Sequence, residues 1–189
     1  MIEINIPRQM PHLWQKQLLA LALIEQMIGN YVLFAEVSGQ GDSKVFRNII
    51  DLVWQQLLGH SVKVDWQKQR GKLEEICPDP ERFDGYGVWP ALDASTALSE
   101  LITLLDENDT EGLESVIKTY YSTIEQFLDA HDLDVADNQR ALYEEADNLI
   151  DKLLTVFSVE AKQVSAVKAI KEIVRSQTVS NIGIENRTL

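Results

Sequence analysis

The stretch D-G-Y-G-V-W-P-A-L-D-A-S-T-A-L-S-E-L-I-T-L-L, from Asp84 to Leu105, carries the clearest structural signal in the chain. Its glycines give the opening segment the backbone freedom that a loop needs. Pro90 suits a first helical turn, where its missing N–H costs no hydrogen bond. The stretch therefore predicts a loop that turns into a helix at Trp89–Pro90. Apolar residues follow at helical spacing, namely Ala91, Ala94, Leu98, Leu101, Ile102 and Leu105.

Four side chains of this stretch have two interpretations. Asp93 falls in the first helical turn, where the helix dipole favours a carboxylate. In the alternative, Asp84, Tyr86, Trp89 and Asp93 group around one helix N-terminus and orient a small polar or cationic ligand. Both interpretations remain open from the sequence, and these four residues are the candidate ligand-binding residues.

The first long helix is predicted from Pro11 to Ile28. Its centre, L-L-A-L-A-L-I at Leu18–Ile24, is apolar on nearly every side, as is typical of a buried helix. This helix and the one after Pro90 are expected to be central. Gly29 is predicted to end the first helix, and Asn30 to cap a short helix over Tyr31–Ser38.

The remaining apolar patterns predict four further helical segments. Asp42 and Asp65 are the expected caps of the first two, and Arg47 is expected to pair with Asp51 four residues on. Gln139–Gln177 reads as one helix or as two joined near Phe157–Val159. The segments are Ser43–Leu58, Trp66–Ile76, Glu111–Ala130 and Gln139–Gln177.

The chain is predicted to be a single all-α domain, an irregular helical bundle of seven or eight helices over residues 1–189. Residues 1–10 read as an extended lead-in and 178–189 as a C-terminal tail. A chain of 189 residues is long enough to bury one real core. No linker long enough to separate two domains interrupts it.

Several features favour a cytoplasmic protein. The single cysteine, Cys77, permits no internal disulfide. The N-terminal residues lack the basic start of a signal peptide. The longest apolar run has seven residues, whereas a membrane-spanning helix needs about 20. No transmembrane helix is therefore expected.

The net charge is −13 and is unevenly distributed. Residues 100–151 hold fifteen Asp or Glu against Lys118 and Arg140, and the rest of the chain sums to zero. Phosphate backbones and anionic lipids both require basic residues for binding. The sequence therefore predicts neither nucleic-acid nor membrane binding. A solvated acidic face is the favoured explanation, and mimicry of a nucleic acid is the alternative.

The sequence contains no recognisable metal or cofactor motif. His12, His60 and His131 are 48 and 71 residues apart, so no helical pair of histidine ligands exists. Counted from Asp132, the aspartate-rich run Asp129–Asp137 and the residues after it lack the oxygen ligand, glycine and glutamate that an EF-hand loop needs at its fifth, sixth and twelfth positions. The prediction is therefore no metal and no cofactor.

Three runs carry a resemblance to a known family: Y-G-V-W-P-A-L-D-A after Gly85, G-D-S-K-V-F-R at Gly41–Arg47, and S-N-I-G-I at Ser180–Ile184. With them, most of the chain resembles the YjaG-like family of bacterial proteins, which is classed as a domain of unknown function. The resemblance implies a compact all-α protein of about this size. It implies no reaction, cofactor or catalytic residues.

Three functional hypotheses follow. The first is an interaction or regulatory protein that binds another protein, or a second copy of itself, through a helical face. The second is a small-molecule binding module that uses the Asp84–Asp93 loop and predicts a concave pocket lined by Tyr86 or Trp89. The third is an enzyme whose carboxylates converge across helices. The absence of catalytic motifs favours a role other than catalysis.

Overall fold

The computed structural model describes residues 10–61, 63–107, 111–131, 137–160 and 162–186, without the side chains of 137–139. Within these ranges the chain is a single all-α domain with no sheet, as predicted. The seven helices of the described residues are α1 (Leu13–Ser38), α2 (Ser43–Leu57), α3 (Trp66–Glu75), α4 (Val88–Asp106), α5 (Gly112–Ala130), α6 (Asp137–Val159) and α7 (Gln163–Arg175).

The centre of the bundle is α1, as the sequence predicts. It packs against α2, α4, α5 and α7, and every side chain of Leu18–Ile24 is fully buried. The helix is long and apolar enough to cross a membrane, but 89% of its apolar window lies inside the protein. Its composition therefore reflects its place as the core helix. The second central helix, α4, packs against α1, α3 and α5.

The predicted end of the first helix at Gly29 is wrong, because α1 continues unbroken to Ser38. The helix is instead capped at its C-terminus by Gly39, whose φ of 67° is the left-handed conformation that glycine adopts without strain. Gly29 is explained by packing. A Cβ at this position would lie 2.6 Å from Asn186 Oδ1 and 3.3 Å from the carbonyl oxygen of Ile184, so glycine lets the C-terminal segment approach the helix.

The C-terminal segment, defined here as Thr178–Asn186, folds back onto the bundle. Val179 and Glu185 form an isolated antiparallel bridge. Asn181 connects the segment to two helices: its backbone N–H donates to Gln26 O of α1 at 3.3 Å and its Nδ2 to Tyr120 O of α5 at 3.0 Å. The segment is thus held as a wall against α1 and α5.

Helix caps at Asp42 and Asp65 are confirmed, since both side chains accept backbone N–H groups of the first turn. The predicted Arg47–Asp51 pair is wrong. Arg47 instead contacts the buried Glu25 of α1 at 2.5 Å, and Asp51 accepts from Arg175 of α7 at 2.8 Å. Arg47 and Asp51 therefore form ion pairs with residues of neighbouring helices. These ion pairs connect α2 to α1 and to α7.

Other helix boundaries differ modestly from prediction. The helix α4 begins at Val88, just before the predicted start at Trp89–Pro90, and the Trp89 N–H donates to Tyr86 O at 3.0 Å. The open question about Gln139–Gln177 is settled as two helices, α6 and α7. The predicted extended lead-in, except Met10, and the last three residues of the tail lie outside the described residues, as does 132–136 of the aspartate-rich run.

Candidate ligand-binding site

A cavity of about 490 Å³ lies where the second half of α1, the Phe83–Pro90 segment, the end of α5 and the C-terminal segment meet. Most of its lining is aliphatic or aromatic. The lining residues are Asn30, Leu33, Phe34, Val37, Ser38, Phe83, Asp84, Gly85, Tyr86, Gly87, Val88, Pro90, Phe127, His131, Ile182 and Ile184.

Aromatic rings form much of the cavity wall. The Tyr86 ring lies 6.2 Å from Phe127 and 5.0 Å, edge to face, from His131. Phe34 and Phe83 meet edge to face at 5.3 Å. The loop before α4 thereby joins α1 on one side and α5 on the other, so the rings are held by three separate elements.

Apolar side chains also stand exposed along the α1 side of the cavity. Leu33 is 36% exposed and Val37 is 79% exposed, although both line the cavity. They lie four residues apart, hence on one face of α1. This face is where the cavity meets solvent. The cavity is therefore an open cleft with an apolar rim rather than a sealed void.

Two buried oxygens at the cavity have no hydrogen-bond partner among the described residues. Asn30 is only 2% exposed; its Nδ2 donates to Asn181 Oδ1 at 3.0 Å, but its own Oδ1 accepts nothing. The Tyr86 hydroxyl is likewise unpartnered. A buried polar group without a partner costs about 1–3 kcal/mol. Such groups are few in native proteins, and each calls for an explanation such as a bound water, ion or ligand.

Burial alters the proton affinity of two groups beside the cavity. It raises the pKa of Tyr86 to about 12, and the nearby Asp93 carboxylate adds to this effect. Burial also raises the pKa of Asp93, which a hydrogen bond from Thr123 at 2.9 Å partly counteracts. Tyr86 therefore keeps its hydroxyl proton at neutral pH and can donate it to a ligand.

The structure divides the four residues predicted as one ligand site. Asp84 and Tyr86 line the cavity. Trp89 is 48% exposed and is not among the lining residues. Asp93 also lies outside the lining, where its carboxylate connects α4 to α5 through Thr123. The predicted loop thus supplies one wall of the cavity.

The sequence did not identify the residues of the other walls. Asn30 is predicted as a helix cap but lies inside α1, and Phe127 is one residue of the predicted helix Glu111–Ala130. Ile182 and Ile184 belong to a tail whose position no local pattern specifies. The available signal was the apolar pair Leu33 and Val37, which has helical spacing but faces outward near the end of α1.

The described residues provide no cluster of three or more His, Cys, Asp or Glu side chains that could hold a metal ion. His131 lies at the cavity, where its Nδ1 donates to the Phe127 carbonyl oxygen at 2.9 Å. The described lining therefore offers hydrogen-bonding and aromatic chemistry to a ligand.

The fold and the cavity define a small all-α protein with an open, ligand-sized, largely apolar cleft. The family model "Protein of unknown function (DUF416)" matches residues 8–185, so the chain belongs to this family. It is 32% identical over 178 residues to the uncharacterized protein YjaG of Escherichia coli, with 90% of each chain covered. An uncharacterized protein of Haemophilus influenzae is 31% identical over 91% of each chain.

A crystal structure of a DUF416 family protein from Shewanella baltica shares the fold, with a TM-score of 0.84 and 33% sequence identity. The match covers 93% of this chain and 94% of that one. The resemblance to the YjaG-like family is therefore confirmed. The Escherichia coli and Haemophilus influenzae relatives are both uncharacterized proteins, and the family itself is described as of unknown function.

Proposed function

We propose that the protein binds a small, largely apolar molecule in the cleft between α1, the Phe83–Pro90 segment and the C-terminal segment. The cleft itself carries the proposal. Its volume of about 490 Å³ falls within the roughly 300–1,000 Å³ of small-molecule sites. Like such sites, it combines an apolar lining with a few polar groups, here Asn30, Asp84 and the Tyr86 hydroxyl.

Indole-3-ethanol is a suitable first probe, because it has an apolar ring and one neutral hydrogen-bonding group. Isothermal titration of the purified full-length protein should detect binding. Val37→Trp places a large side chain on the rim of the cleft and should reduce the affinity at least about tenfold, which corresponds to about 1.4 kcal/mol.

Val159→Trp is the matched control. Val159 is 72% exposed on α6, similar to the 79% of Val37, and does not line the cleft. Its replacement should leave the affinity unchanged. An equal loss in both variants, or no binding by the original protein, would refute the assignment of this cleft as the site.

Protein binding or self-association is a second proposal. Val159 and Val164 are exposed apolar residues at the end of α6 and the start of α7. Exposed apolar side chains on two successive helices are candidates for contact with another protein. Light scattering after size exclusion, across a range of concentrations, tests self-association: a mass that rises toward twice 21.4 kDa supports it, and a constant monomer mass opposes it.

We also infer a cytoplasmic location, without binding to nucleic acid or membranes. The single cysteine, the acidic net charge of −13 and the burial of α1 support this inference. Fractionation of cells that express the protein tests the location. The hypothesis of an enzyme whose site is assembled across helices stays a prediction.

A further inference from the structure

We propose that the cleft recognises an organic amine: a molecule with an apolar body and a protonated ammonium group. This inference rests on the proposed binding function and specifies the chemical class of the ligand. It follows from the charge, the aromatic rings and the hydrogen-bond acceptors at the cleft.

The charge at the cleft favours a cation. Asp84 is the acidic residue among the described residues that line the cleft. No lysine or arginine is among these described lining residues. Asp84 is an exposed residue of the loop and also lines the cleft. An ammonium group of a bound ligand can pair with this carboxylate. A ligand carboxylate would meet like charge there without a basic side chain to neutralise it.

The aromatic wall also favours an ammonium group. The faces of tyrosine and phenylalanine rings attract cations through their quadrupole, and grouped rings are a known means of recognising ammonium ligands. Phe34, Phe83, Tyr86 and Phe127 all line this cleft. Tyr86 follows Asp84 by two residues in the same loop, and its ring lies 6.2 Å from the Phe127 ring.

The unpartnered oxygens provide a third, independent observation. Among the described residues the Asn30 amide oxygen has no donor, although Asn30 is only 2% exposed. The Tyr86 hydroxyl also has no hydrogen-bond partner in the described part of the chain. An ammonium group has three N–H donors and no acceptor, so its hydrogen-bonding capacity complements unpaired acceptor oxygens. A carboxylate could accept from the Tyr86 hydroxyl but would leave Asn30 Oδ1 unpaired.

Three probes of matched shape separate this inference from the binding function itself. Tryptamine carries an ammonium group, indole-3-ethanol a hydroxyl and indole-3-acetate a carboxylate. Titrated at 150 mM salt and pH 8, tryptamine should bind about tenfold tighter than indole-3-acetate. Indole-3-ethanol should bind with intermediate affinity.

The variant Asp84→Asn tests whether the carboxylate recognises the ammonium group. It should weaken tryptamine binding about fivefold and weaken indole-3-ethanol binding less. Glu114→Gln changes the net charge equally, at an exposed position of α5 outside the cleft. This control variant should leave both affinities unchanged and so excludes a general effect of charge.

The outcomes distinguish the two proposals. Equal affinity for the three probes, or an equal effect of Asp84→Asn on tryptamine and on indole-3-ethanol, would overturn the inference about amines but leave the binding function standing. Binding of none of the three probes would overturn both. Selective binding of tryptamine that depends on Asp84 would support both.

Discussion

Replacement of Gly29 by alanine tests how closely the C-terminal segment packs against α1. The added Cβ would lie 2.6 Å from Asn186 Oδ1 and 3.3 Å from the Ile184 carbonyl oxygen. Since carbon and oxygen do not approach within 3 Å without bonding, the Asn186 side chain or the whole segment must move. Overpacking of this kind costs about 1–3 kcal/mol.

Gly71 provides the matched comparison, because it also lies inside a helix but a Cβ there would meet open space. Replacing Gly71 by alanine should raise the free energy of unfolding by about 0.5–1 kcal/mol, because alanine has the higher helix propensity. The same gain applies at Gly29 but is exceeded by the overpacking. We therefore expect Gly29→Ala to lower the free energy of unfolding by about 1 kcal/mol, which is the overpacking cost less the gain in helix propensity.

Thermal unfolding followed by circular dichroism measures both effects. At this chain length 1 kcal/mol corresponds to a change of about 2–4 °C in Tm. Gly71→Ala should raise Tm and Gly29→Ala should lower it. In an Asn186→Ala background, which lacks the closest contact atom, Gly29→Ala should become less harmful. If Gly29→Ala raises Tm as much as Gly71→Ala does, the described packing of the segment is incorrect.

Three further substitutions test the account elsewhere in the bundle. Glu25→Ala removes the buried carboxylate that pairs with Arg47. It should lower the free energy of unfolding, measured by urea denaturation, by about 3–5 kcal/mol. A loss below about 1 kcal/mol would contradict this connection between helices. The raised pKa of Asp93 means that folding favours its protonated form, so stability falls as pH rises through that pKa. The stability of Asp93→Asn relative to the original protein should therefore be greater at pH 7 than at pH 4. A stability difference that does not change with pH would show that Asp93 does not titrate in this way. Asp42→Ala removes the side-chain acceptor at the start of α2 and should cost about 1 kcal/mol by chemical denaturation, whereas an unchanged midpoint would show that this cap is dispensable.

Local sequence signals predicted the helices well because each signal acts within a few residues. Asp42 and Asp65 accept hydrogen bonds from backbone groups two or three positions away. The apolar run Leu18–Ile24 identified the core helix, because only a buried position tolerates apolar residues on every side. These features do not depend on the rest of the chain.

Features that involve distant residues could not be predicted in the same way. Gly29 carries a valid signal for a helix end, but its function depends on Asn186, 157 positions later. Arg47 has a suitable partner four residues along its own helix, yet the structure pairs it with Glu25. Tertiary packing overrides local preference at both sites.

The candidate site follows the same pattern. Asp84 and Tyr86 were identified because they belong to one short loop with an unusual composition. Asn30, Phe127 and Ile182 reach the cleft from three other parts of the chain, and only the fold brings them together. A cleft assembled from separate elements leaves no single motif in the sequence.

Intermolecular NOEs between bound tryptamine and the methyl groups of the protein test most directly whether this cleft is the binding site. The account predicts NOEs from the indole protons to the methyl groups of Leu33, Ile182 and Ile184, which line the cleft. It predicts none to the exposed Val164 of α7. NOEs only to methyl groups outside the cleft, or none at saturating tryptamine, would contradict the account.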